Sequence, residues 1–316
     1  MDIDAAHEDC AAVLDEVAGA VIAERSFLET VLTGAVAGGH VLLEDVPGTG
    51  KTLTARSFAD ALGLSFSRVQ FTPDLLPADV TGSYVFDERE REFEFREGPV
   101  FANVVLADEI NRAPPKTQAA LLEAMEEEQV TVDGTTHELP TPFFVIATQN
   151  PVEQEGTFSL PEAQLDRFAV KSGVGYPADE DEEVELLRRR SGRAERSPSV
   201  ERVLSPERVE RLRAVPEGVR VEEDLLRYIA AVARATREDR RVEVGVSPRG
   251  TQRLFEVARA RAVVEGRDFV TPDDVRTVAP ATLAHRLVLT PDATVENVAK
   301  RAVVAETLEG VPVPTL

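Results

Sequence analysis

Residues 44–54 read Glu-Asp-Val-Pro-Gly-Thr-Gly-Lys-Thr-Leu-Thr, and residues of these types in this order can cradle a polyphosphate. Gly48 and Gly50 let backbone N–H groups approach an anion closely, while a helix starting at Lys51 turns its positive end toward the same point. Lys51 can reach β and γ phosphates, and Thr52 can ligate Mg²⁺. The nucleotide-binding stretch is therefore Asp45, Val46, Pro47, Gly48, Thr49, Gly50, Lys51, Thr52 and Leu53. The general G-x-x-x-x-G-K-[ST] pattern has glycine where this chain has Asp45; that position mainly shapes the turn, so the strict match is lost but the donors are not. A bare strand-to-helix turn without a ligand is the plain alternative.

A second constellation strengthens the first. The apolar run Val104, Val105, Leu106, Ala107 ends in Asp108-Glu109, which sets two carboxylates at the carboxyl edge of a sheet, where open α/β folds bind ligands. Asp108 would hold Mg²⁺ through water, and Glu109 would orient and polarise an attacking water. Alone, the pair reads equally well as two solvated carboxylates capping a strand. A third strand, residues 143–148, ends in Gln149-Asn150-Pro151; Asn150 can hydrogen-bond the attacking water or the γ-phosphate, although Asn before Pro is also an ordinary turn former.

These residues need a scaffold that brings several strand ends together. Short apolar runs at 40–43, 68–71, 104–107, 143–148 and 167–170 alternate with helical stretches such as Lys51–Leu62 and Pro115–Glu127. That alternation predicts a parallel sheet covered by helices. Apolar residues at helical spacing from Ala5 to Ala37 predict two helices before Gly38-Gly39,. Alternating stretches at 83–96, with a charged tip, and at 129–139, turning at Asp133-Gly134, read as inserted hairpins. After Tyr176-Pro177 the pattern turns helical. Residues 1–177 are thus read as the nucleotide-binding core, 178–200 as a helix and exposed linker (the charged stretch 188–198), and 201–316 as a smaller all-helical domain whose helices open near Ser, Thr, Pro or Asp,.

Composition narrows the setting. Hydrophobic residues make up 43% and charged residues 29% of the 316-residue chain, a globular balance with no apolar run long enough for a membrane span. An acidic start without a basic leader and a single cysteine, Cys10, suit a reducing cytoplasm,. The net charge of −22 disfavours general nucleic-acid binding,. Only four of 35 basic residues are lysines, and a carboxylate-rich, lysine-poor surface is what a salt-rich cytoplasm favours.

The strings Gly39-His40-Val41-Leu42-Leu43-Glu44, Gln70-Phe71-Thr72-Pro73-Asp74-Leu75-Leu76, Gly98-Pro99-Val100-Phe101, Ala107-Asp108-Glu109-Ile110-Asn111-Arg112-Ala113-Pro114-Pro115-Lys116, Ala147-Thr148-Gln149-Asn150-Pro151 and Leu160-Pro161-Glu162-Ala163-Gln164-Leu165-Asp166-Arg167-Phe168 resemble MoxR AAA+ ATPases in content and order, over roughly residues 20–290. The resemblance implies an αβα P-loop core followed by a helical lid, ATP and Mg²⁺ in the cleft between them, and assembly into a ring, six subunits being the family expectation. It implies that Arg167 is the arginine finger reaching the neighbouring subunit's γ-phosphate, and that Arg249, in Val246-Ser247-Pro248-Arg249-Gly250, is the second sensor arginine. It places the two hairpins toward the pore or partner side, and suggests a chaperone-like remodeller of a client, first among candidates one with a von Willebrand factor A domain. A magnesium-chelatase-like or gas-vesicle subunit, and a scaffold that binds ATP without turnover, remain the alternatives. Where relatives often carry a Val-Gly-Gln-like stretch near the adenine, this chain has Ile22-Ala23-Glu24-Arg25.

Overall fold

The structure, a computed structural model, describes residues 1–151, 157, 158, 160–192 and 198–314. In chain order, α1 (Ile3–Ala20) and α2 (Arg25–Val36) precede β1 (His40–Glu44) and α3 (Lys51–Leu62). Then come β2 (Phe66–Gln70), α4 (Pro77–Thr81), β3 (Gly82–Asp87) and β4 (Glu92–Glu97). These lead to β5 (Val104–Asp108), α5 (Pro115–Glu127), β6 (Gln129–Val132), β7 (Thr135–Glu138), β8 (Phe144–Gln149), α6 (Glu162–Leu165) and β9 (Phe168–Ser172). The second half holds α7 (Glu180–Ser191), α8 (Pro206–Ala214), α9 (Glu223–Glu238), β10 (Val242–Val244), α10 (Pro248–Val264), α11 (Pro272–Leu283), β11 (Val288–Leu289), α12 (Pro291–Val295) and α13 (Lys300–Gly310).

Five strands form a parallel sheet in the order β2-β5-β8-β1-β9. Strand residues alternate between two cores as a pleat demands: Val41, Leu43, Val104 and Leu106 join one, Leu42, Val105 and Ala107 the other,. The first core is continuous through α1 and α2 into the lid helices, so the N-terminal helices seat the lid against the sheet. Large buried groups such as Phe58, Leu28 and Leu32 on this side and Phe71, Phe143 and Phe168 on the other contribute roughly 1.5–3 kcal/mol each,. Gly39 permits a close approach: a Cβ there would sit 2.3 Å from the Cβ of Ala169 on the edge strand β9.

Four lid helices start on Ser-Pro or Thr-Pro, with Ser205, Ser247, Thr271 and Thr290 each accepting an N-terminal amide and the following proline preset for helical φ,. The lid is helical but for a two-stranded antiparallel ribbon, β10 with β11, whose strands are too short to leave a periodic signal. Arg188 to Ser191, expected within an exposed linker, instead complete α7, because Asp179 caps that helix and acidic residues in its first turn with arginines in its last oppose the helix dipole,. Residues 193–197 of the expected linker lie outside the described residues. Both hairpins form, β3 with β4 and β6 with β7, the latter turning at Asp133-Gly134. Among the described residues, no helix is long and apolar enough to cross a membrane.

His40 opens β1 and is buried between two backbone partners: Nε2 donates to the Met125 carbonyl (2.9 Å) and Nδ1 accepts from the Val145 amide (3.0 Å). One neutral tautomer satisfies both, and a second proton would set an N–H against an N–H. Burial accordingly lowers its pKa to about 4. Because the folded value lies below the ordinary 6.5, His40 supports folding fully above pH 6.5, and this support, on the order of 3 kcal/mol at most, is lost as pH falls toward 4,. His40→Gln keeps a donor and an acceptor without titrating, so its Tm is expected to fall less steeply than the wild type's between pH 6.5 and 4. Parallel curves would refute the assignment.

Candidate functional site

The phosphate loop runs from the end of β1 to the start of α3. Gly48 and Gly50 have φ of 89° and 93°, the left-handed region glycine enters without a steric penalty,. A Cβ at either would meet no atom within 4 Å beyond its chain neighbours, so both glycines border open space. Lys51 Nζ donates to the carbonyls of Asp45 and Val46, 2.7 Å each, which folds the ammonium into the loop. Burial lowers its pKa, against the attraction of Asp45, Asp108 and Glu109. The unusual Asp45 has its own work: one carboxylate oxygen accepts from the Val46 amide (2.8 Å) and the other from the Gly175 amide (2.6 Å), tying the loop to the chain leaving β9.

Asp108 and Glu109 arrive from β5, one strand removed from β1 across β8. The Thr148 hydroxyl on β8 organises both, donating to Asp108 Oδ1 (2.6 Å) and accepting from the Glu109 amide (2.8 Å). Asp108 Oδ2 accepts from Arg68 Nε and Nη2 at 3.1 and 2.7 Å, and Glu109 Oε2 accepts from Gln70 (2.7 Å) and Arg112 (3.0 Å). Glu109 itself has φ 56°, a left-handed conformation that costs a non-glycine residue on the order of 1–3 kcal/mol. The bend ends the strand and brings Glu109 into the same cavity as Asp108. Asn150, 6% exposed, lies at the end of β8. Lys51, Thr52, Asp108, Glu109 and Asn150 all line one cavity of about 390 Å³. The donors, the hydroxyl and the paired carboxylates fit a magnesium-bound triphosphate.

The two singled-out arginines lie elsewhere. Arg167, between α6 and β9, pairs through Nη2 with Glu126 Oε2 (2.8 Å) and donates through Nη1 to the Leu122 carbonyl. Arg249, in the first turn of α10, pairs with the other oxygen of the same carboxylate at 3.0 Å. The structure thus brings Arg167 and Arg249 together on α5, and neither lines the phosphate-loop cavity of its own chain. A second cleft of about 660 Å³ opens beside Asp45, walled by Lys171 and Gly173 of the core and by His285, Lys300 and Arg301 of the lid. Lys171 there pairs with Glu44 at 2.7 Å.

The hairpins meet through aromatic rings: Phe95 of β4 stacks on His137 of β7 (3.8 Å between centroids), with Tyr84 Oη 3.4 Å from His137 Nε2. Near the first hairpin's tip, Phe86 and Phe93 pack edge to face and remain 49% and 68% exposed.

Sequence reasoning passed over Arg68, Gln70, Arg112, Thr148 and Glu126. Arg68 and Gln70 alternate around buried Val69 at the end of β2, so a polar face on that strand was the available signal. Arg112 and Glu126 carried none.

Residues 40–170 match the family described as "ATPase family associated with various cellular activities (AAA)", and residues 234–307 match "AAA lid domain". The chain is 48% identical over 295 residues to YeaC of Bacillus subtilis, described as uncharacterized, covering 93% of this chain and 91% of that one. It is 43% identical over 308 residues to "Chaperone MoxR1" of Mycobacterium tuberculosis, covering 95% and 81%. The solved structure of a candidate ATPase from Cytophaga hutchinsonii superposes with a TM-score of 0.90 at 39% identity, over 98% of this chain and 96% of that one.

Proposed function

From the premise that this chain belongs to the MoxR family of AAA+ ATPases, we propose that it hydrolyses ATP in a ring and uses the resulting shape changes to remodel a partner protein. The observation that carries the proposal is the convergence of Lys51, Thr52, Asp108, Glu109 and Asn150 on one cavity at the carboxyl edge of the sheet,. Bound with the triphosphate, Mg²⁺ held by Thr52 and Asp108 would neutralise charge on the phosphate oxygens. The amides of residues 48–53 and Lys51 bind the phosphates. Glu109, aimed by its left-handed bend and held by Gln70 and Arg112, takes the proton of the attacking water, and Asn150 orients that water.

Strand order supports one direction for the bound nucleotide. The catalytic groups come from β5 and β8, on one side of β1, so the γ-phosphate points that way and the nucleoside end extends past Asp45 toward β9 and the lid, into the 660 Å³ cleft. The cleft suits a base and ribose, and a lid touching the nucleoside would sense it. Arg167 and Arg249, paired on Glu126 and off their own chain's cavity, are assigned to the neighbouring subunit's γ-phosphate. The exposed Phe86 and Phe93 are the assigned client contacts, and a client with a von Willebrand factor A domain remains the first candidate, on the family resemblance alone.

The test is phosphate release against protein concentration, in low salt and in molar KCl, with Mg²⁺ or with EDTA. Specific activity is expected to rise with concentration toward a plateau, to vanish in EDTA, and to persist in molar KCl as the acidic surface suggests. Binding of ATP without turnover under every condition, candidate partners included, would replace this reading with the scaffold alternative.

A further inference from the structure

The segment that carries Arg167 is held by the lid. Arg286, three residues after α11 ends, has a side chain only 2% exposed and reaches across to the core. Its Nε donates to Asp166 Oδ1 (2.7 Å), its Nη2 to the carbonyls of Asp166 (3.1 Å) and Phe168 (2.8 Å), and its Nη1 to those of Ala169 (3.4 Å) and Thr282. Three of these four carbonyls belong to residues 166, 168 and 169, so one guanidinium holds the backbone on both sides of Arg167. The other oxygen of Asp166 lies 3.4 Å from Ser247 Oγ, the cap of the helix that carries Arg249. Gly250 makes this junction possible, since a Cβ there would lie 2.8 Å from Arg286 Cδ.

The same lid turn also borders the nucleoside cleft, because Ala284 and His285, immediately before Arg286, form part of its wall. His285 Nε2 lies 3.1 Å from the Phe168 carbonyl, again beside Arg167. A shift of this turn on filling of the cleft therefore moves the anchors of residues 166–169 with it. A packed junction of this kind transmits displacement, having no soft element to absorb it.

We propose that Arg286 is a positioning residue for Arg167: it carries the placement of the lid, set by the subunit's own nucleotide cleft, to the guanidinium presented to the next subunit. This rests on the ring-ATPase reading above, with Arg167 acting in trans. Arg286 touches no substrate, and its effect passes through Asp166 and the backbone around it.

The test is complementation in mixed assemblies of the full-length chain. Arg286→Met subunits keep an intact phosphate loop and acidic pair but present Arg167 poorly, so turnover is expected to fall by about 100-fold, the cost of misplacing a catalytic group by about an ångström. Their binding of a fluorescent ATP analogue should be unchanged. Mixing them with Glu109→Gln subunits, which lack a base but keep an intact finger, should restore turnover. A defect confined to the variant's own site would not be rescued. Arg167→Ala mixed with Glu109→Gln is the control. Rescue of Arg167→Ala without rescue of Arg286→Met, or full activity of Arg286→Met alone, overturns the inference and leaves the ring reading standing. Rescue of neither overturns both. Should Arg286→Met not fold, Asp166→Asn carries the same comparison, since it preserves side-chain shape while removing the charge that Arg286 holds.

Discussion

Replacing Glu109 by Gln is expected to lower ATP turnover by about 10²–10⁴-fold, the usual contribution of a positioned general base, while leaving ATP affinity essentially intact. The separation follows from the geometry. The phosphate-binding donors lie in the loop after β1 and on the first turn of α3, and none depends on Glu109 for its position. The left-handed bend at residue 109 is held through its backbone amide by Thr148, a bond the amide side chain does not disturb. Its Oε1 can still accept from Gln70 or Arg112, so the substitution removes the basic oxygen without removing the contacts that orient it. Steady-state phosphate release beside equilibrium binding of a fluorescent ATP analogue reads both quantities. A variant that keeps activity within about tenfold of wild type would show that Glu109 is not the base. One that loses binding as well would show that the carboxylate shapes the loop.

The parts of this site that the sequence discloses are those built from contiguous residues. Gly48, Gly50, Lys51 and Thr52 are a single turn and its helix, and Asp108-Glu109 close a single apolar strand, so residue order alone brings each group together. Short apolar runs likewise place the five sheet strands to within about two residues, and period-two alternation places both hairpins. What the order of residues does not disclose is contact across elements. Arg68 meets Asp108 only because β2 pairs with β5 in register, Gln70 opposite Asp108. Thr148 serves the Asp108 carboxylate and the Glu109 amide only because β8 lies on the other side of β5. The convergence of Arg167 and Arg249 on Glu126 joins residues 123 positions apart, and Arg286 reaches Asp166 across 120. Either arginine, read alone, is one of 31 and most resembles a surface ion pair. The ribbon of β10 and β11 escapes for a different reason: strands of three and two residues are too short to repeat the two-residue alternation that could reveal them,.

Arg167→Ala is expected to lower turnover by about 10³–10⁵-fold, the range for an arginine supplied to a γ-phosphate by a neighbour, with little change in the stability of the subunit. The visible partners of Arg167 do not account for such an effect. Its ion pair with Glu126 is partly exposed, at 27% and 34% for the two side chains, and pairs of that kind contribute about 0–1 kcal/mol. If the ion pair were its whole role, the alanine variant would melt within a few degrees of wild type and hydrolyse ATP as before. If Arg167 served its own subunit's phosphate, activity would be lost but independent of what surrounds the variant. The role in trans proposed above agrees with a guanidinium that lies off its own chain's phosphate cavity, paired with Arg249 through a single carboxylate, and the ion-pair role is what the measurement must separate from it. Two guanidiniums held side by side make a site for a highly charged oxyanion, and Glu126 offsets their mutual repulsion until one arrives. The deciding measurement is therefore turnover in mixtures. Arg167→Ala and Glu109→Gln, each inactive alone, are expected to regain activity when combined, because an intact acidic pair on one subunit then faces an intact finger on the next. Failure of that rescue in assemblies shown to be mixed would mean that each subunit completes its own site.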